Sequence, residues 1–120
     1  MHVLAMILVG LVAAIHGYFL VLEMFLWRTP LGRRIFSTDE AFAERSAAMA
    51  ANQGLYNGFL AAGLVWSLLA RDPVDFQAAV FFLACVIVAG AYGAVTVSRR
   101  ILLVQAAPAV VALAAVLLAG

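Results

Sequence analysis

The sequence predicts an all-α fold: a polytopic membrane protein whose helices form an antiparallel four-helix transmembrane bundle. Three observations predict it. Of 120 residues, 68% are hydrophobic and 11% charged, whereas about a quarter of an ordinary soluble domain is charged. Four apolar stretches approach the roughly 20 residues that cross a bilayer at about 1.5 Å per residue. Two of the three connections between them are short, which makes consecutive helices antiparallel neighbours.

The chain reads as one domain, with helices at about residues 3–27, 39–70, 76–97 and 101–119. The first stretch, Val3 to Trp27, lacks the basic start and the small-x-small cleavage site of a secretory leader, so it is expected to be retained as a span. A long connection from Arg28 to Ser46 follows. Within it Ser37 stands three residues before Glu40, a capping-box spacing, so the second helix should begin well before its apolar part at Ala47. "RDPVD" separates the second and third helices and "SRR" the third and fourth. Pro108 removes a backbone hydrogen bond in the last helix, frees the carbonyl of Val104 beside Gln105, and predicts a local kink. Trp27 and Trp66 suit interfacial positions.

Charge sets the expected orientation. Arg28, Arg33, Arg34 and Arg45 lie in the first connection and Arg99 and Arg100 in the third, while the opposite side holds Arg71 alone. Positive flanks stay in the cytoplasm, so both termini are expected outside a bacterial inner membrane. A net charge of +1 gives no field for nucleic acid. The single cysteine, Cys85, excludes an intrachain disulfide and any Cys-x-x-Cys site.

The polar residues inside the apolar stretches are the candidate site. "ANQGLYNGFLAAGL" carries Asn52, Gln53, Tyr56 and Asn57; the first helix supplies His16 and Glu23, the third Tyr92 and Thr96, the fourth Gln105. Counted inward from the cytoplasmic boundary, most fall within roughly 10 Å of one surface at about 1.5 Å per residue. At about 100° per residue they form a polar stripe on each helix. Such groups are costly against lipid, so the stripes are expected to turn toward one another around a polar pocket reached from the cytoplasm. Glu23 is its expected centre, paired with Asn52 or Tyr56, or with Arg45 nearer the surface. The pocket would bind or transport a small polar or amphipathic molecule or lipid. The alternatives are a membrane-embedded enzyme using His16 or Glu23 on a lipidic substrate, and an assembly protein without a ligand. The amides themselves can act as interhelical ties worth roughly 1 kcal/mol each.

No motif calls for a cofactor or metal. His16 and Glu23 lie about 10 Å apart along a helix, too far to share an ion unaided, and no hydrolase triad, His-Glu-x-x-His or phosphate loop is present. Beside the amides runs a small-residue stripe of Ala47, Ala51, Gly54, Gly58 and Ala62, a surface for close helix packing or for a homo-oligomer.

The stretches "LEMFLWRTPLGRRIF", "ANQGLYNGFLAAGL", "CVIVAGAYGAVTV" and "LLVQAAPA" resemble the bacterial and fungal membrane family called domain of unknown function 1304, over essentially the whole chain. The resemblance implies a compact four-span protein and carries no catalytic role onto any residue.

Overall fold

The structure, a computed structural model, describes residues 1–96 and 99–120, and of Ile101 and Leu102 the backbone only. Val97, the expected end of the third helix, and Ser98 of the third connection lie outside the described residues. Every regular element described is helical: α1 Val3–Met24, α2 Pro30–Phe36, α3 Glu40–Leu69, α4 Val74–Thr96, α5 Arg99–Ile101, a π-helical turn Leu102–Ala106, and α6 Ala107–Ala119. Contacts divide the chain into two compact units, one of Met1–Ile15 with Leu60–Gly120, the other of His16–Phe59.

The first unit is built on small residues at helical spacing. Ala5, Val9, Val12 and Ala13 of α1, Leu64 of α3, Ala79, Leu83 and Val86 of α4, and Ala109, Ala112 and Val116 of α6 form one buried cluster. Alanine and valine make up most of the cluster and let helices approach closely, with Leu64 and Leu83 as its large side chains. Two glycines within helices mark close approaches. A Cβ on Gly63 would run into the Phe82 ring, and one on Gly90 would lie 2.8 Å from the Ala106 Cβ and 3.0 Å from its backbone nitrogen. The large aliphatic side chains point the other way: Ile7 is 62% exposed, Val88 69% and Leu118 89%.

The proline of the last helix acts where expected, in a more specific form. The π turn ends at Ala106, and α6 restarts with Pro108 in its first turn. Proline lacks the donor that would continue an α-helical ladder from Val104, and the preceding turn widens.

In the second unit the long connection is partly helical. Thr29 caps α2: its Oγ1 accepts from the Gly32 nitrogen at 3.2 Å, and Pro30 occupies the first turn. Ser37, expected to cap the following helix, instead ends α2 in the left-handed region at φ 56°, and the Thr38 nitrogen returns to the Arg33 carbonyl at 3.0 Å. The cap of α3 is Asp39, whose Oδ1 accepts from the Phe42 nitrogen at 2.7 Å. Ser37 stands two residues before that cap position, too far to reach the donor.

Among the described residues two helices are long and apolar enough to cross a membrane, Val3–Met24 and Val74–Thr96; Leu103–Ala119 is apolar but shorter. The amides of α3 lower its hydropathy, and the π turn shortens the last α-helix.

Candidate functional site

Within the second unit, α1 and α3 meet through matched one-turn sets. Leu20, Glu23 and Met24 face Gly54, Asn57 and Gly58, residues at spacings of three and four on each helix and therefore on one face. A Cβ on Gly54 would lie 2.6 Å from Met24 Cγ and 3.2 Å from the Leu20 carbonyl, and one on Gly58 would lie 2.5 Å from Leu20 Cδ1. At Gly54 and Gly58 the small stripe is occupied by this chain's own first helix. Because the crowding at Gly58 comes from the flexible end of Leu20, one extra carbon is absorbed by its rotation and four are not. Gly58→Leu is expected to lower stability by about 3 kcal/mol, more than the roughly 1 kcal/mol of half-buried Leu68→Ala. Thermal unfolding in detergent measures both, and an equal or smaller loss for the glycine variant would contradict the packing.

That close approach brings Glu23 to Asn57. The amide Nδ2 donates to Glu23 Oε1 at 2.5 Å, with both side chains half-buried. The expected pairing with Asn52, Tyr56 or Arg45 is replaced by Asn57, the residue after Tyr56 and five beyond Asn52 along α3. Asn52, Gln53 and Tyr56 are exposed, and Tyr56 stacks edge-on against Phe59. His16 is fully buried, with its ring edge-on to Phe19 at 5.6 Å. The remaining candidates belong to the first unit. Tyr92 lines a shallow, largely apolar groove of about 540 Å³ along α4 with Phe81, Cys85 and Val88. Thr96 Oγ1 donates to the Tyr92 carbonyl at 2.8 Å, and Gln105 is half-buried in the π turn.

Glu23 also stands in the wall of a half-open cleft of about 520 Å³. The rest of the wall comes from Met24, Phe25, Trp27, Arg28 and Thr29 after α1 and from Ala47, Ala48 and Ala51 of α3. The segment is fastened in place by side chains. Trp27 Nε1 donates to Ser46 Oγ at 3.0 Å, and that hydroxyl donates to the Phe42 carbonyl at 2.6 Å. Trp27 also stacks on Phe36 at 4.8 Å, which ties α2 to the same corner. Arg28 pairs with Glu44 at 3.0 Å, an exposed ion pair worth at most about 1 kcal/mol. Thr29 Oγ1 donates to the Leu26 carbonyl at 2.6 Å.

Phe25, Trp27, Arg28 and Thr29 were absent from the sequence-based set, although Thr-Pro at the end of an apolar run is a helix-start signal that would have placed α2 and the bend before it. Among the described residues no three of His, Cys, Asp and Glu group to hold a metal ion. Chemically the arrangement offers a carboxylate with one oxygen held by an amide, in a cleft walled by aromatic and small apolar groups together with Arg28 and Thr29.

The fold and cleft define a class: an all-α chain with two helices long and apolar enough for a membrane, and a single acid held at the helix ends. The chain belongs to the family described as "Protein of unknown function (DUF1304)", which matches residues 10–117. It is also similar to the uncharacterised protein YpaA of Lactococcus lactis subsp. lactis (strain IL1403), 30% identical over 115 residues that cover 94% of this chain and 96% of that protein. No solved structure matches.

Proposed function

We propose that this is a single-domain, four-span membrane protein that binds or carries a small polar or amphipathic molecule in a cleft at its cytoplasmic boundary. The observation that carries the reading is the Glu23–Asn57 pair in the wall of the cleft. An acid kept at the end of an apolar helix, with one oxygen committed to an amide and its side open to a cleft, is costly as packing alone and useful as a ligand group.

Three further facts support the membrane setting. Many large aliphatic side chains of α1, α4 and α6 face outward while alanine and valine make up most of the interior, as a lipid solvent favours. Six arginines fall in the first and third connections and one in the second, the asymmetry that a cytoplasmic side would favour. Helix α3 has 30 residues, about 45 Å long against a hydrocarbon core of about 30 Å, so part of it stands in water. Counted back from Leu69, the span reaches about Ala50. Asn52 and Gln53 then sit at the boundary, consistent with their exposure, and Asn57 lies inside it.

Single cysteines in a Cys85→Ala background test topology and access together. With an impermeant maleimide, Glu40→Cys and cleft-lining Ala48→Cys are expected to label only after permeabilisation, and Arg71→Cys on intact cells. Labelling of Glu40→Cys on intact cells would invert the orientation. An Ala48→Cys that stays unlabelled while Glu40→Cys reacts would mean that the cleft is closed to water.

A further inference from the structure

We infer that the cleft takes a monovalent organic cation bearing apolar groups, an ammonium- or phosphonium-type amphiphile. This rests on the cleft being a ligand site, and it follows from which of its polar atoms are already engaged. The Arg28 guanidinium is paired with Glu44. The Trp27 indole nitrogen is engaged by Ser46. Thr29 Oγ1 both donates, to the Leu26 carbonyl, and accepts, from the Gly32 nitrogen. Glu23 is different: Oε1 accepts from Asn57, and Oε2 has no hydrogen-bond partner among the described residues.

The wall therefore presents one unmet carboxylate oxygen beside aromatic and aliphatic side chains, with Arg28 drawn toward Glu44 and Thr29 engaged by backbone. Phe25 is 69% exposed and available as a face, Trp27 stands beside it, and Met24, Ala47, Ala48 and Ala51 complete the lining. A cation meets a carboxylate and two π faces there. An anion would have to share Arg28 with Glu44 and approach Glu23 against its charge, and a neutral donor would gain a single hydrogen bond at Glu23. The apolar walls favour a cation with hydrocarbon attached over a hydrated metal ion, and about 520 Å³ is room for one molecule of modest size.

The test uses two ions of nearly the same shape and opposite sign, tritiated tetraphenylphosphonium and tetraphenylborate, with the full chain in phosphatidylcholine nanodiscs and empty nanodiscs as reference. The phosphonium is expected to bind saturably at one per chain and the borate not to. Glu23→Gln keeps an oxygen for Asn57 and removes the charge, so it should weaken phosphonium binding by at least about tenfold. Phe25→Ala, at an exposed position that does not report on folding, should weaken it while Glu23 is intact. Saturable borate binding equal to or stronger than phosphonium binding, and lost in Phe25→Ala, would overturn the cation assignment and leave the cleft as a site for amphiphiles. Phosphonium binding that survives both substitutions would place the site elsewhere and overturn the inference. Absence of saturable binding by either ion would remove the cleft as a site for amphiphiles together with the inference.

Discussion

Gly32→Ala is expected to cost about 3 kcal/mol or more, enough to leave little folded protein from a chain of this size. Gly32 is buried in the first turn of α2, and a Cβ there would overlap the Leu26 carbonyl oxygen and come within 2.9 Å of its carbon and 3.0 Å of the Trp27 carbonyl. These are backbone atoms of a turn, which cannot rotate aside as a side-chain end does. Relief would come only from moving α2 off the turn. That movement would break the Gly32 nitrogen bond to Thr29 and the Trp27–Phe36 stack, and with them the cleft wall. Gly17 provides the contrast, because a Cβ there meets nothing within 4 Å. In mid-helix, Gly17→Ala should be neutral or stabilising by about 0.5–1 kcal/mol. Thermal unfolding in a mild detergent compares the two, and a Gly32→Ala protein as stable as the parent would show that α2 does not sit against the turn.

Glu23→Ala is expected to destabilise by about 1–3 kcal/mol, because it leaves the Asn57 amide half-buried without its acceptor. Glu23→Gln should lose well under half of that, since a glutamine oxygen can take the same bond. A double-mutant cycle isolates the pair. With Glu23→Ala and Asn57→Ala combined, the total loss should fall short of the sum of the single losses by about 1 kcal/mol or more, because the second truncation removes a group that the first has already orphaned. Additive losses would mean that the two side chains do not support one another. Stability and cation binding are separate readouts here: Glu23→Gln should nearly preserve the first and remove the second.

Much of the fold is legible in the sequence because apolar length and helical period are local properties. Helices were expected over most of the residues that form α1, α3, α4 and α6, and Pro108 announces the break before α6. The need of Glu23 for a partner, and a close helix contact at Gly54 and Gly58, follow from the cost of a lone acid and from the role of glycine where helices touch; that the contact is with α1 does not. The connection after α1 was less legible. There the Thr29–Pro30 start of α2 competes with the Ser37 signal seven residues on, and both are short-range patterns of similar strength.

The sequence by itself determined that the chain is helical, that it is too apolar and too sparsely charged for an ordinary soluble domain, and that Glu23 and the amides of α3 stand out among its polar residues. Only the tertiary structure decided that the amide holding Glu23 is Asn57, with Asn52 and Tyr56 exposed, and that the cleft is walled by Phe25 to Thr29. The reason is geometric. Neighbouring residues on a helix point about 100° apart, so the choice among Asn52, Tyr56 and Asn57 turns on the rotation and axial offset of α1 against α3. That offset is set by Leu20 settling onto Gly58 and Met24 onto Gly54, a fit between surfaces that no local pattern in either helix specifies.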